Sequence, residues 1–304
     1  MGASRPAAFP SFYSCRLDGT FRPRIKGVLR LCLRRAGTPD VGGLPSWSAS
    51  SPFRRFRGRL KVARILRFEE RNLKPYAEPM SASDLKEGEI YFFLNFVDED
   101  MLVPAFTTGV FIGRNLEAGD IDLVYFQDVR SYRQGVRYDW DSDEEREGIF
   151  FHGSETETGH VFEYERALDG LLACLLRRSA HRARPAMRFE ARELRPDPEP
   201  VLPSELTEGK VYFFLGYVDD EKLNPVVETV VYRGKFPDAD GHPKLSFQDI
   251  DSYHEGIRLD TPADENYATF CARSPDTLSD IFDYDRALEE LMRCSLRRRG
   301  LDNG

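Results

Sequence analysis

The amino-acid sequence predicts an α+β protein that carries one structural unit twice in tandem. Blocks of residues recur at a nearly constant shift, each copy has short apolar runs followed by a long helical pattern, and 41% of the 304 residues are hydrophobic. That composition is enough for packed cores, and the length suits two domains. We expect each unit to be a small antiparallel β-barrel or curled sheet, SH3-like in shape, closed by a C-terminal amphipathic helix.

The repeat becomes visible when the chain is shifted by about 121 residues. RFEERNLKPYAEP then aligns with RFEARELRPDPEP, EGEIYFFLNFVDED with EGKVYFFLGYVDDE, and FQDVRSYRQGVR with FQDIDSYHEGIR. A shift of about 120 aligns FEYERALDGLLACLLRR with FDYDRALEELMRCSLRR. The matched blocks are roughly 40% identical, which indicates duplication of a whole unit. The predicted domains are a leader at residues 1–66, repeat unit 1 at residues 67–178 and repeat unit 2 at residues 188–298.

Each unit is expected to begin with an extended, proline-containing segment and a Glu-Gly turn. The run that follows is almost continuously apolar and aromatic, which predicts a central strand buried on both faces. In the two units these features occupy residues 73–79 and 194–203 for the entry, 87–88 and 208–209 for the turn, and 90–97 and 211–218 for the strand.

Three more strands are predicted in each unit after an acidic turn. The second strand ends at Gly113 or Gly234, the third covers residues 124–128 or 245–249, and the fourth covers residues 149–152 or 268–272. Short apolar runs bounded by turn residues are typical of strands.

The closing element of each unit is predicted to be a helix, because apolar residues recur at spacings of three and four. In the second unit, Ser274-Pro275 is interpreted as the N-cap and first-turn proline, and both helices end in paired arginines that complement the helix dipole. The predicted apolar faces comprise Val161, Tyr164, Leu168, Leu171, Leu172 and Leu175 in the first unit, and Ile281, Phe282, Leu288, Leu291 and Met292 in the second.

The leader differs from the repeat units in charge. Residues 1–66 contain 14 Lys and Arg residues and two Asp residues, so the remaining chain has a net formal charge of -20. Three interpretations of the leader stay open: an upstream start-site artefact, an organelle transit peptide and a basic nucleic-acid-binding arm. In each case the leader is expected to be disordered and dispensable for folding. The acidic repeat units should repel phosphates and anionic lipid and attract cationic surfaces.

The acidic turns are the first candidate binding residues. Clustered carboxylates raise the local negative potential and favour a cationic partner. The alternative is an ordinary hairpin turn, in which Asp is common because its side chain bonds the backbone. The candidates are Asp98, Glu99 and Asp100 in unit 1 and Asp219, Asp220 and Glu221 in unit 2.

A motif of the form FQD-x-x-SY-x-x-G-x-R supplies the second set of candidates. A strand would bring the Gln and Asp acceptor groups, the Tyr ring and the Arg guanidinium close together. Such a set suits recognition of a peptide or polar ligand. The alternative is internal: the aspartate pairs with the arginine and the serine caps a turn. The candidates are Gln127, Asp128, Tyr132 and Arg137, and their counterparts Gln248, Asp249, Tyr253 and Arg258.

Other chemistry is weakly supported by the sequence. The five cysteines form no CxxC pair, and Cys174 and Cys294 are interpreted as buried apolar residues in a reducing, cytoplasmic compartment. Asp139, Asp141 and Asp143 imitate the start of a calcium loop, but Glu144 stands where that loop needs glycine. The histidines do not recur between copies, and there is no phosphate-binding loop or HExxH. No cofactor, metal site or catalytic residue is predicted.

Three functional hypotheses follow. The leading one is an acidic two-module binding protein that engages a basic protein or peptide, with no nucleic acid bound through the repeat units and no membrane association. Acidic immunity proteins that neutralise cationic nucleases offer a physical analogy. The alternative is a hydrolase or transferase with a cleft between the units, using residues such as His152, His254 and Asp264. The third is an adaptor whose two units bind two copies of one ligand. The sequence does not predict the oligomeric state.

Overall fold

The computed structural model describes residues 66–138, 150–179, 187–195, 198–237, 241–257 and 270–302. These residues form a mixed α+β structure with mostly sheet and few helices. Unit 1 contains β1 Leu66–Phe68, β2 Arg71–Asn72, β3 Ile90–Phe96, β4 Pro104–Arg114, β5 Leu123–Asp128, α1 Val129–Arg133, β6 Phe150–Ser154, β7 Val161–Phe162 and α2 Tyr164–Ser179. Unit 2 contains β8 Arg188–Phe189, β9 Arg192–Leu194, β10 Val211–Tyr217, β11 Pro225–Pro237, β12 Pro243–Asp249, α3 Ile250–His254, β13 Phe270–Arg273, β14 Ile281–Phe282 and α4 Tyr284–Arg298.

The strands of each unit form an open antiparallel sheet. The order is β7-β3-β4-β5-β6 in unit 1 and β14-β10-β11-β12-β13 in unit 2. Neither sheet closes on itself within the described residues, so of the two predicted forms, a barrel or a curled sheet, the barrel is wrong. Strands β4 and β11 each pair with two strands of their own unit and also pair with each other near their N-terminal ends. This pairing joins the strands of both units into one sheet of ten strands.

The central strand of each unit is buried on both faces, as its apolar run predicts. On β3, Phe92 and Leu94 pack into the core that includes α2, while Tyr91 and Phe93 pack into a second cluster on the opposite face. Strand β10 repeats the pattern in unit 2. This double burial explains why the run lacks the alternation of a strand with one solvated face.

The closing helices begin later than the apolar spacing predicts. Val161 belongs to β7 and pairs with β3, and Ser274-Pro275 starts a short 3-10 turn at Pro275–Thr277 instead of the closing helix. Helix α4 instead begins at Tyr284 and is capped by Asp283, whose side chain accepts the Arg286 N–H. The two residues before each cap extend as a short strand, because their backbones bond the central strand of the sheet.

Corresponding residues of the two units meet reciprocally across the junction. Phe106 N–H donates to Thr229 Oγ1 at 2.8 Å, and Val227 N–H donates to Thr108 Oγ1 at 2.9 Å. Each of these bonds becomes the other when the units are exchanged. The same relation holds at a two-fold axis of a homodimer, where one surface pairs with itself.

The helices and the first strands repeat this reciprocity. The Tyr164 hydroxyl donates to the Leu171 counterpart, Leu291 O, at 2.5 Å, and Tyr284 donates to Leu171 O at 2.5 Å. Strand β1 pairs with β9 and β2 pairs with β8, so the first strands of the two units also pair with each other reciprocally. The largest hydrophobic core contains residues of both units, and the junction is therefore part of the interior.

No helix in the described part of the chain is both long enough and apolar enough to cross a membrane.

Candidate binding surface at the junction

The first aspartate of each acidic turn is a structural residue. The Asp98 carboxylate accepts the backbone N–H groups of Leu102 and Val103, at distances of 2.6 to 3.0 Å. Asp219 accepts those of Leu223 and Asn224 at 2.6 and 2.7 Å. These carboxylates hold the tight connections between β3 and β4 and between β10 and β11. For Asp98 and Asp219, the side-chain-to-backbone alternative describes the geometry.

The remaining carboxylates of the turns face solvent. Glu99 and Asp100 are exposed at the tip of one hairpin, and Asp220 and Glu221 are exposed at the tip of the other. None of these four side chains has an ion-pair or hydrogen-bond partner among the described residues. Each tip therefore presents two carboxylates that are free to meet an external cation.

The FQD motif forms a strand end followed by one turn of helix. Asp128 caps α1 by accepting Ser131 N–H at 2.8 Å, and Asp249 caps α3 by accepting Ser252 N–H at 2.9 Å. Gly135 follows with φ of 85°, a left-handed conformation that glycine adopts readily at the end of a helix. The aspartate acts as a cap and is not paired with the arginine in unit 1.

The glutamine and arginine of the motif also bond within their own unit. Gln127 is fully buried and donates from Nε2 to Ser131 Oγ at 3.0 Å and to Val136 O at 3.1 Å. Gln248 makes the equivalent bonds in unit 2. Arg137 lies over the Tyr132 ring at 4.1 Å and donates to the Tyr132 carbonyl. Arg258 lies outside the described residues.

The structure brings the two candidate motifs together across the junction. Val97 and Val103, which flank the acidic tip of unit 1, pack with Ile250 and Tyr253 from the FQD motif of unit 2. In the reciprocal cluster, Val218 and Val226 beside the tip of unit 2 pack with Val129 and Tyr132 of unit 1. The apolar residues of the motif thus anchor the other unit's hairpin and hold its acidic tip in place.

A charged patch near the pseudo-two-fold axis was not predicted. Glu228 on β11 lies opposite Thr107 and has solvent access. The charged groups that act on the Glu228 carboxylate include Arg130, of opposite sign, and Asp249, of the same sign. The Arg130 side chain reaches across from unit 1 toward Gly216. Comparison of the two copies missed this patch because Thr107 stands in place of Glu228, and Asp251 in place of Arg130, in the other copy.

Asp251, in the same region, has a carboxyl group whose pKa is clearly raised. Burial raises the pKa of Asp251 to about 6, and the carboxylates of Asp249 and Glu255 act in the same direction. Position 251 of unit 2 corresponds to Arg130 of unit 1, so one copy has an anion where the other has a cation. Burial also raises the pKa of Glu255.

A cleft of about 770 Å³ opens where unit 1 meets the start of β10 and α4. Its charged residues are Arg178 from unit 1 and Glu205, Lys210, Asp283, Asp285 and Arg286 from unit 2. Arg286 is paired with Glu205 at 3.2 Å and with Asp283 at 3.5 Å. The described lining contains no cysteine, serine or histidine that could act as a nucleophile or base.

The residues suggested for catalysis lie elsewhere. His152 on β6 packs against the Tyr125 ring, and His254 ends α3 beside Tyr253. Neither lines the cleft, and Asp264 is outside the described residues. Within the described ranges, no group of three or more His, Cys, Asp or Glu residues is arranged to hold a metal ion. The aspartates that imitate a calcium loop, Asp139 to Asp143, also fall outside those ranges.

The two corresponding cysteines are buried, as predicted. Cys174 and Cys294 donate weakly to the Leu102 and Leu223 carbonyls at 3.5 Å, just after the acidic tips. Burial raises the pKa of both thiols, in the case of Cys294 to about 11. Such thiols stay protonated near neutral pH and are poor nucleophiles.

Comparison with known proteins gave no match: no protein-family model, no curated protein and no solved structure corresponds to this chain.

Proposed function

We propose that this protein binds a basic protein or peptide through the two acidic hairpin tips. The observation that carries the proposal is that the three acidic residues of each turn have two different roles. One aspartate holds the hairpin, and the next two carboxylates, Glu99 with Asp100 and Asp220 with Glu221, are exposed without an internal partner. The net charge of -20 on residues 67–304 extends the same potential over the repeat units and steers cations toward them.

The positions of the tips favour a partner that contacts both. Because β4 and β11 run antiparallel through the Thr107–Glu228 pair, the tips lie at opposite ends of the junction. Strand rise places them up to about 40 Å apart. We infer that the units arose by duplication and that each contributes one equivalent contact site. A large basic surface, or two copies of one ligand, would engage both sites and gain avidity.

The first prediction concerns charge reversal at the tips. Replacing Glu99, Asp100, Asp220 and Glu221 together with lysine should slow association with a lysine-rich synthetic peptide by about tenfold or more, because electrostatic steering mainly sets association rates. Stopped-flow fluorescence with a labelled peptide would measure the rate. The wild-type rate should also fall steeply as salt rises past about 0.15 M, where the screening length is about 8 Å.

A matched variant separates the tips from the overall charge. Reversal of Glu87, Glu190, Glu208 and Asp276 changes the net charge by the same amount at exposed positions outside the hairpin tips. If both variants slow association equally, the binding is a property of net charge and the tips are not the site. Asp98 and Asp219 should not be altered in this test, because their loss would disturb the turns.

The second candidate function is a hydrolase or transferase acting in the junction cleft. The observation in its favour is the cleft itself, since shared clefts between domains are common sites for small molecules. Its ion pairs suit binding of a zwitterionic compound better than nucleophilic attack. Turnover of such a compound that is lost on changing Lys210 or Arg178, and is unaffected by the tip variant, would favour this function over the first.

A further inference from the structure

Unit 2 contains a small pocket of about 280 Å³ beside its acidic tip. Apolar walls come from Pro198, Pro200, Leu215 and Phe282, and polar atoms come from Tyr217 on β10 and Glu290 on α4. Lys222, which directly follows the tip residue Glu221, lies at the mouth. The pocket is therefore continuous with the surface that we propose for binding a basic partner.

The polar end of the pocket is a buried network with one free acceptor. Tyr217 Oη donates to Glu290 Oε1 at 2.7 Å, and Arg297 Nη2 donates to the same oxygen at 2.8 Å. Arg297 also donates to Tyr217 Oη and, from Nε, to the Lys222 carbonyl. Glu290 is only 8% exposed, yet its Oε2 accepts no hydrogen bond from any described residue. Because Oε2 is not among the fully buried unpaired atoms, it keeps access to the pocket and can accept a hydrogen bond from a ligand there.

The corresponding place in unit 1 lacks both the tyrosine and the carboxylate. Phe96 stands where unit 2 has Tyr217, and Gly170 stands where unit 2 has Glu290. The Leu94 Cδ2 atom approaches within 2.5 Å of the point that a Cβ on Gly170 would occupy. The shared scaffold therefore folds without this network, and the buried carboxylate is a property of unit 2 alone.

We propose that the pocket binds one lysine side chain of the basic partner, and this inference rests on the function proposed above. The apolar walls suit the methylene stem of lysine, and Glu290 Oε2 suits its ammonium group. Arginine fits less well, because its two-donor fork needs both carboxylate oxygens and Oε1 is already bonded to Arg297. Lys222 and Glu199, which carry opposite charges, both line the pocket.

The test uses the full chain and a single-residue probe. With ¹³C-labelled leucine methyl groups, titration of N-acetyl-lysine methylamide should shift the Leu215 signals saturably, with a dissociation constant of roughly 1–10 mM, as expected for so small a ligand. The norleucine analogue has the same stem without the charge and should cause no saturable shift. The arginine analogue should bind at least about threefold more weakly.

Two variants identify the pocket. Glu290→Gln removes the charge and should weaken lysine binding at least about fivefold. Ser279→Phe places a ring at an exposed position of the mouth and leaves the Tyr217–Glu290–Arg297 network intact. It should also abolish the shifts of the Leu215 signals. This second variant keeps the test valid if Glu290→Gln misfolds. The matched control is Glu289→Gln, because Glu289 is 9% exposed and pairs with Arg195 away from the pocket.

Lysine that causes no saturable shift at Leu215, or that binds equally well to the Ser279→Phe variant, overturns the pocket assignment. That failure differs from failure of the proposed function. If the hairpin tips control peptide association but the pocket variants bind lysine as the wild type does, only the assignment of the pocket is wrong. If lysine binds the pocket but tip reversal leaves association unchanged, the tips are not the binding surface.

Discussion

At the scale of single residues, Asp251 is the side chain whose charge opposes folding most clearly. It is half-buried, lies near the carboxylates of Asp249 and Glu255, and accepts no hydrogen bond from the described residues. Its pKa of about 6 exceeds the ordinary value of 3.8. The native state therefore binds this proton more tightly than the unfolded state. The resulting destabilisation is fully present above about pH 6 and disappears below about pH 4.

We predict that Asp251→Asn stabilises the protein in a pH-dependent way. The variant removes the unfavourable charge, so the free energy of unfolding should rise by about 1–2 kcal/mol at pH 7.5, a figure reduced for partial solvent screening. At pH 4 the wild-type carboxyl is protonated in the native state and resembles the amide, so the difference should be under about 0.5 kcal/mol. Urea denaturation at both pH values would measure this.

The control for this prediction is Asp276→Asn, which removes the same charge from an exposed position. Surface substitutions of this kind usually change stability by under about 0.5 kcal/mol. An Asp251→Asn variant that is less stable than wild type at pH 7.5, or equally stabilised at both pH values, would contradict our account of the Asp251 charge.

The residue roles that follow local rules could be predicted from the sequence. Asp98 and Asp219 bond the backbone of their turns, as short acidic turns often do. Asp128 and Asp249 cap their helices through the same chemistry, whereas the internal interpretation of the motif makes the serine the cap and pairs the aspartate with the arginine. Glu228 and Glu290 could not be identified, because their environments depend on partners from distant segments and because the other copy has Thr107 and Gly170 instead.

At the scale of the elements, the paired closing helices are joined by two buried tyrosines. Tyr164 and Tyr284 start their helices, and each hydroxyl donates to a carbonyl in the middle of the other helix. Arg178 lies over the Tyr284 ring at 4.3 Å, and Arg298 lies over the Tyr164 ring at 4.9 Å. The terminal arginines thus join the units in addition to complementing the helix dipoles.

We predict that Tyr164→Phe and Tyr284→Phe each lower the free energy of unfolding by about 1 kcal/mol, because each removes one buried hydrogen bond while keeping the ring. The acceptor carbonyls retain their helical bonds, so the loss should not be larger. Thermal or urea denaturation would measure the change. Tyr76→Phe is the control, since Tyr76 is 68% exposed and should tolerate the same change. A loss of unfolding free energy in only one of the two variants would show that the two tyrosine contacts are not equivalent.

The elements were predictable where one periodicity extended over many residues. The apolar runs located β3 and β10, and the spacing of three and four located most of α2 and α4. The helix starts were wrong because Val161, Ile281 and Phe282 are apolar at positions compatible with either structure. Two-residue strands are fixed by pairing with β3 and β10, which single-sequence periodicity does not contain.

At the scale of the whole molecule, the junction determines the architecture. The sequence repeat predicts two similar units. Pairing between the copies, however, produces no periodic pattern in the sequence of either copy, so it could not be predicted. The barrel form was wrong because the outer strands, β7 and β6 in unit 1, do not pair within the described residues, although most strands were placed correctly. The reciprocal bonds of Thr108 and Thr229 resemble those of a homodimer that a linker has made into one chain.

The final prediction follows from the pair at the centre of this junction, where Thr107 lies opposite Glu228. An isolated unit 2, residues 187–304, could recreate the junction only by pairing with a second copy of itself, which would place Glu228 opposite Glu228. Like charges directly opposite in a sheet are destabilising.

We therefore expect this fragment to dimerise poorly near neutral pH, and Glu228→Thr to strengthen its self-association by about tenfold, equivalent to roughly 1.4 kcal/mol. Unit 1, residues 66–186, places Thr107 opposite itself and should dimerise without any substitution. Sedimentation velocity over a concentration series would compare the three fragments, with Glu208→Thr as the control at an exposed position remote from the axis. A wild-type unit 2 that dimerises as tightly as its Glu228→Thr variant would contradict this account, because the like charges would then not oppose pairing at the junction.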